Sequence, residues 1–145
     1  MVMVLSPMLR KSIVQTASLD ACCILRWLLQ DIPEQARAVH DLLSNPGSYY
    51  VADTTLMEVV YVLERIYKQE RYFIASCLNL ISSLNQIKCN RQLIKLVIPI
   101  YSENLALSFA DCWAAVCAEL NNAQPLLTFD KKLALKLPQV ELLTV

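Results

Sequence analysis

The chain has 145 residues, of which 56% are hydrophobic and 18% are charged, and its 13 basic and 13 acidic side chains balance. This length suffices for one ordinary domain whose core needs no disulfide or metal to stabilise it. The balanced charge provides no overall positive field for a nucleic-acid partner, although bound metal ions can bring positive charge to a phosphate.

The rarest residue types exclude several kinds of site. Gly47 is the single glycine, so the chain cannot build the glycine-rich phosphate loops of dinucleotide-binding proteins or P-loop enzymes. His40 is the single histidine, and it lies in a segment that has the pattern of a helix with a polar face. We therefore expect a solvated or packing role for His40 rather than a catalytic one.

The apolar segments and the cysteines indicate a soluble, cytoplasmic protein. The apolar stretches are interrupted before they reach the roughly 20 residues that a membrane-spanning helix needs. An apolar start followed by Arg10-Lys11 reverses the order of a secretory signal. The six cysteines are irregularly spaced and include no CxxC pair, which favours buried free thiols over disulfides or a zinc or redox site.

Strand and helix patterns alternate along the chain. Residues 1–12 show no periodicity and are expected to form a flexible arm before a single domain at residues 13–145. The predicted strands are 13–19, 49–51, 87–89, 126–128 and 140–143. The predicted helices are 21–29, 33–43, one that starts at the N-cap residue Asp53, 71–83, 91–101, 109–120 and 131–136. Pro99 should kink or end its helix, and Asn121-Asn122 suits the left-handed end of the next helix.

This alternation predicts an α/β fold. Parallel neighbouring strands need a crossover connection, and a helix between strands supplies one. We expect a parallel sheet of about four to five strands that is flanked by helices on both faces.

Four acidic residues fall where such a fold binds ligands, which is outside the carboxyl ends of the strands. Asp20 follows the first predicted strand and Asp130 follows the strand at 126–128, whereas Glu58 and Asp111 lie early in helices. Carboxylates that lie close together repel one another unless a cation neutralises them. Mg²⁺ and Mn²⁺ prefer oxygen ligands, so the pattern favours a divalent-metal site.

Each acid also has a purely structural explanation. Acidic residues are common near helix starts as caps and as partners of the helix dipole, and this alternative is strong for Asp111 and Asp130. For Glu58, which lies between the apolar Met57 and Val59, an exposed position on the helix is the structural alternative, but it is a weaker explanation than capping is for Asp111 and Asp130. For Asp20, between Leu19 and Ala21, a structural explanation is weakest.

The chain resembles the toxin-type PIN domains of bacterial VapBC toxin–antitoxin pairs from about residue 13 to its end. The segments that carry this resemblance are SLDACCILRWLL, YVADTTLMEVVYVLERIYK, LSFADCWAAVCAE and LLTFDKKLALKL. The resemblance implies that Asp20, Glu58, Asp111 and Asp130 are catalytic and bind Mg²⁺ or Mn²⁺. It also implies cleavage of RNA that leaves a 5′-phosphate and a 3′-hydroxyl, a homodimer, an antitoxin partner, and a role for Thr128 in orienting water or substrate.

One position departs from the pattern of the family. Relatives often carry Asn or Ser two residues after the first Asp, where this chain has Cys22, a poorer ligand for a hard metal and a weaker donor. Cys22 and the neutral net charge leave a second hypothesis open, in which a catalytically weak PIN-like domain serves as a protein- or RNA-binding scaffold.

Overall fold

The computed structural model describes residues 15–145, so the expected arm at residues 1–12 lies outside the described part. Five strands and seven helices occur within these residues. The strands are β1 (Gln15–Ser18), β2 (Gly47–Tyr50), β3 (Ile87–Lys88), β4 (Leu126–Thr128) and β5 (Val140–Leu142). The helices are α1 (Ala21–Leu29), α2 (Pro33–Ser44), α3 (Asp53–Arg65), α4 (Arg71–Ser83), α5 (Arg91–Glu103), α6 (Phe109–Leu120) and α7 (Lys131–Lys136).

The strand pairings confirm the α/β class, because every recorded pairing is parallel. Strands β1, β2 and β3 form one sheet in that order, with Thr16 opposite Ser48 and Tyr49 opposite Ile87. Strands β4 and β5 form a separate two-stranded sheet, with Leu127 opposite Glu141. The strands of the described part are thus divided three and two.

The chain divides into two compact units. The first unit takes in residues 15–59 of the described part together with Ser83–Cys89, and it holds the three-stranded sheet with α1 and α2. The second unit consists of Val60–Ser82 and Asn90–Val145, and it holds the two-stranded sheet with α5, α6 and α7. The division falls within helix α3, between Val59 and Val60.

The core of the first unit follows from helical and strand spacing. Helix α1 packs against α2, and the buried residues recur at helical spacing in both: Ala21, Ile24 and Leu25 in α1, and Ala36, Val39 and Leu43 in α2. The ring of Tyr49 is 1% exposed and lies over Gly47, where an added Cβ would come within 2.6 Å of the ring atom Cε2. The single glycine is therefore needed for a close approach within β2.

Helices α5 and α6 pack together in the second unit. Their apolar faces include three aromatic rings, in which Phe109 lies 5.2 Å from Tyr101 and 5.5 Å from Trp113 between ring centroids. Helix α5 continues through the exposed Pro99 to Glu103, so Pro99 does not end this helix, which runs two residues beyond its expected end near residue 101. Asn122 has a φ of 53°, which confirms the left-handed conformation expected after α6.

The expectations for histidine, cysteine and membrane spans can be compared with the described residues. His40 is exposed, and its Nδ1 lies 3.6 Å from an oxygen of Asp41. All six cysteines are free thiols, but only Cys77 and Cys112 are buried, whereas Cys22 is exposed. Within residues 15–145, no helix combines the length and the apolar character that crossing a membrane requires.

Candidate metal-binding carboxylates

Asp20 lies where the first strand of the sheet gives way to a helix. Its backbone is extended, it is the N-cap of α1, and its Oδ1 accepts a hydrogen bond from the Ala21 N–H at 2.8 Å. The second carboxylate oxygen, Oδ2, accepts from the Cys22 thiol at 3.7 Å. The side chain is exposed to solvent, although the preceding Leu19 is buried. One oxygen of Asp20 therefore caps the helix, and the other faces only a weak donor.

The Cys22 thiol takes the place of the Asn or Ser that the resemblance leads one to expect. Partial desolvation raises the pKa of this exposed thiol, and the neighbouring Cys23 and Asp20 raise it further. A thiol whose pKa is raised stays protonated at neutral pH and can donate to a carboxylate. Cys22 thus makes the contact expected of a hydroxyl or amide at this position, but over a longer distance and with a weaker donor.

Glu58 lies in the part of helix α3 that belongs to the first unit. Its side chain is exposed, while Leu56 and Val59 on the same helix are buried. Among residues 15–145, no hydrogen bond or ion pair is recorded for its carboxylate. The structure therefore gives Glu58 no capping or pairing role.

Asp111 is the third residue of helix α6 and is half-buried. The N-cap of this helix is Ser108, whose Oγ accepts a hydrogen bond from the Asp111 N–H at 3.0 Å. The capping role that was the alternative explanation for Asp111 thus belongs to Ser108. Sequence reasoning missed Ser108, although a serine three residues before an acidic residue at a helix start is a recognised capping signal.

Asp130 follows strand β4 and is the N-cap of helix α7. Its Oδ1 accepts from the N–H groups of Lys132 and Leu133 at 2.9 and 3.2 Å. The Thr128 hydroxyl oxygen accepts in turn from the Asp130 N–H at 3.0 Å. The capping alternative for Asp130 is therefore confirmed as a contact, and it leaves Oδ2 available for a second role.

The four carboxylates are chemically suited to a metal ion, but in the described part of the chain no three of their side chains are grouped closely enough to hold one. Carboxylate oxygens are suitable ligands for Mg²⁺ or Mn²⁺, and each of the four acids is exposed or half-buried. Asp20 and Glu58 belong to the first unit, and Asp111 and Asp130 belong to the second. Within residues 15–145, however, no group of three or more His, Cys, Asp or Glu side chains is close enough to hold a metal ion.

Comparison with known proteins identifies the family. The pattern of the PIN domain family matches residues 17–136, a span that contains all four acids and Thr128. No curated protein and no solved structure matches the chain. The match covers most of the chain, which therefore belongs to the PIN domain family. PIN domains are generally nucleases, that is, hydrolases of phosphodiester bonds.

Proposed function

We propose that this protein is a divalent-metal-dependent endoribonuclease that hydrolyses phosphodiester bonds in RNA. The observation that carries the proposal is the match to the PIN domain family, since it includes all four acidic positions. We further propose that Asp20, Glu58, Asp111 and Asp130 are the metal-binding and catalytic residues of one nuclease domain at residues 13–145.

The contacts of the acids support this assignment. Glu58 and Asp111 have no hydrogen-bond or ion-pair partner for their carboxylates among the described residues, so neither carboxylate is already engaged by the protein. Asp20 and Asp130 each use Oδ1 for a helix cap, which fixes the orientation of the carboxylate. A bound Mg²⁺ or Mn²⁺ would supply positive charge at the phosphate and a more acidic water.

Residues beside the acids have supporting roles in this proposal. Thr128 accepts from the Asp130 backbone, so its hydroxyl hydrogen remains free to donate to water or substrate. Lys131 and Lys132 are exposed next to Asp130 and are candidates for contacts with phosphate groups. By the resemblance to toxin-type PIN domains, we also propose a cytoplasmic homodimer whose activity is blocked by an antitoxin protein.

A catalytically weak scaffold is the second candidate function. Two observations favour it: a thiol occupies the position beside Asp20, and no group of three ligating side chains is found among residues 15–145. A scaffold would bind RNA or protein without cleaving it.

The test is cleavage of a panel of single-stranded and hairpin RNAs in Mn²⁺, Mg²⁺ or EDTA. The protein is compared with Asp20→Asn and Asp111→Asn, and with Asp53→Asn as a matched control, because Asp53 is an acid in the first turn of α3 outside the proposed set. We expect metal-dependent cleavage that both site variants abolish and the control retains. Absence of cleavage under every condition would contradict the nuclease assignment and favour the scaffold.

A further inference from the structure

Arg71, the first residue of α4, is bound to the segment that leads into helix α6. One guanidinium nitrogen, Nη1, donates to the backbone oxygens of Tyr101 and Asn104, both at 2.9 Å, and Nη2 donates to that of Leu107. The same guanidinium group lies over the Tyr101 ring, 4.3 Å from its centroid. All of these residues belong to the second unit.

Arg71 is connected to the first turn of α6 in two ways, through the backbone and through side chains. Along the backbone, Leu107 precedes Ser108, the N-cap residue that binds the Asp111 N–H. Through the side chains, Arg71 packs on Tyr101, whose ring meets Phe109 edge-on with 5.2 Å between centroids. Phe109 is the first residue of α6, so Arg71 constrains both the residue before the cap and the residue after it.

A planar guanidinium group is needed for this arrangement. Its fork of donors serves three carbonyl groups at once while its face stacks on a ring, whereas a lysine offers a single ammonium group without a flat face. Arg71 is also only half-buried, and it lines a groove of about 1040 Å³ together with Glu64, Lys68 and Tyr72. A small solute can therefore approach the position of its side chain.

We propose that Arg71 is a positioning residue that holds the first turn of α6 and, through it, the carboxylate of Asp111. The inference rests on the proposed function in so far as Asp111 acts on a metal and RNA. Three of the five N–H donors of Arg71 are bound to backbone carbonyl groups, so we assign Arg71 an indirect contribution to the reaction.

The first measurement is amide hydrogen exchange in the metal-free protein, which needs no activity. Asp111 and Cys112 are the reporters, because both of their N–H groups donate to Ser108, at 3.0 and 3.2 Å. Arg71→Lys should speed exchange at these two amides and leave Lys132 and Leu133 in α7 unchanged. Arg91→Lys is the matched control, because Arg91 also begins a helix and donates to a backbone oxygen, that of Ser82 at 2.8 Å. Arg91→Lys should leave the two reporters unchanged.

The second measurement is chemical rescue. Arg71→Ala should lower kcat for RNA cleavage roughly tenfold to a hundredfold with little change in KM, because a small misplacement of a catalytic group acts on the chemical step. Guanidinium ion well below denaturing concentrations should restore part of kcat and slow exchange at Asp111 again. The same concentration of guanidinium should have no such effect on Arg91→Ala.

The outcomes separate this inference from the proposed function. If exchange at Asp111 and Cys112 is the same in the wild type, Arg71→Lys and Arg71→Ala, the positioning role is refuted. If the wild-type protein cleaves no RNA, the proposed function fails, while the exchange data still decide whether Arg71 orders the first turn of α6.

Discussion

Asp130 combines an observed helix cap with a proposed metal-binding role. Substitutions can separate the two, because asparagine caps a helix about as well as aspartate does but carries no charge. Asp130→Asn should keep the hydrogen bonds to Lys132 and Leu133 and melt close to the wild type, yet lose metal-dependent cleavage. Asp130→Ala loses the cap as well, which should cost about 1 kcal/mol and lower the melting temperature by roughly 2–4 °C. Calorimetry and the cleavage assay measure the two effects separately. Equal melting temperatures for the Asn and Ala variants would show that the cap contributes nothing.

Cys22 allows a second residue-scale prediction. Cys22→Ser replaces a weak thiol donor with a hydroxyl that hydrogen-bonds at shorter distances, so Oδ2 of Asp20 should be held more firmly. We expect Cys22→Ser to lower the Mn²⁺ concentration needed for half-maximal cleavage and Cys22→Ala to raise it. Both variants should change stability by no more than about 0.5 kcal/mol, because Cys22 is exposed. If both variants give the wild-type Mn²⁺ dependence, the thiol has no part in positioning Asp20.

At the scale of elements, the Tyr101 hydroxyl connects α5 to α3 by donating to the Glu64 carboxylate. Burial raises the pKa of Tyr101 above its ordinary value of 10.0, and Glu64 raises it further, while Arg71 acts in the opposite direction. The folded protein therefore keeps the Tyr101 proton at a pH where the unfolded chain has lost it. The stability that this proton confers is complete below pH 10 and is lost as the pH rises above it.

Tyr101→Phe tests this connection between the two helices. At pH 8 the variant should be less stable by about 1 kcal/mol, a low value for a hydrogen bond to a charged group because Glu64 is half-exposed. Between pH 10 and 11 the unfolding free energy of the wild type should fall more steeply with pH than that of the variant. Urea unfolding of both proteins at pH 8, 10 and 10.5 measures the difference. A constant difference across this range would mean that Tyr101 ionises alike in the folded and unfolded chains.

Element bounds were predictable wherever the signal is local. Helix α7 and strand β4 have the predicted bounds, because the first starts at a capping Asp and the second is an apolar run before it. The length of α5 was not predictable from Pro99 alone. Proline removes one backbone donor, whereas the apolar contacts of Val97 and the buried Tyr101 favour continuation of the helix. Tertiary packing prevailed over the local rule there.

The pairing of the strands and the burial of their residues were harder to predict from the sequence than the bounds of the helices and strands. The sequence indicated parallel strands, but which strands share a sheet depends on contacts between residues far apart in the chain, so the division into three and two was not foreseen. Likewise, all four residues of β1, the strand before Asp20, are exposed, and this exposure depends on packing between distant parts of the chain.

At the scale of the whole molecule, the metal site proposed for the four acids predicts an effect on stability as well as on cleavage. The sequence singled out the four acids by their positions after strands and early in helices, and the PIN match contains them all. The sequence could not predict how the four side chains are placed relative to one another, since tertiary packing determines that placement. Metal binding is therefore best tested on the folded protein as a whole.

A metal ion that binds only the folded chain must stabilise it by mass action. At a Mn²⁺ concentration about 100 times its Kd, the expected gain is about 2.7 kcal/mol, which for a domain of this size corresponds to roughly 5–10 °C in melting temperature. EDTA should reverse the gain, Asp20→Asn should abolish most of it, and the control Asp53→Asn should keep it. Thermal unfolding followed by calorimetry at several Mn²⁺ concentrations gives the dependence directly. If the melting temperature of the wild type does not change with Mn²⁺ concentration, the scaffold is favoured instead, because its interactions with RNA or protein require no metal.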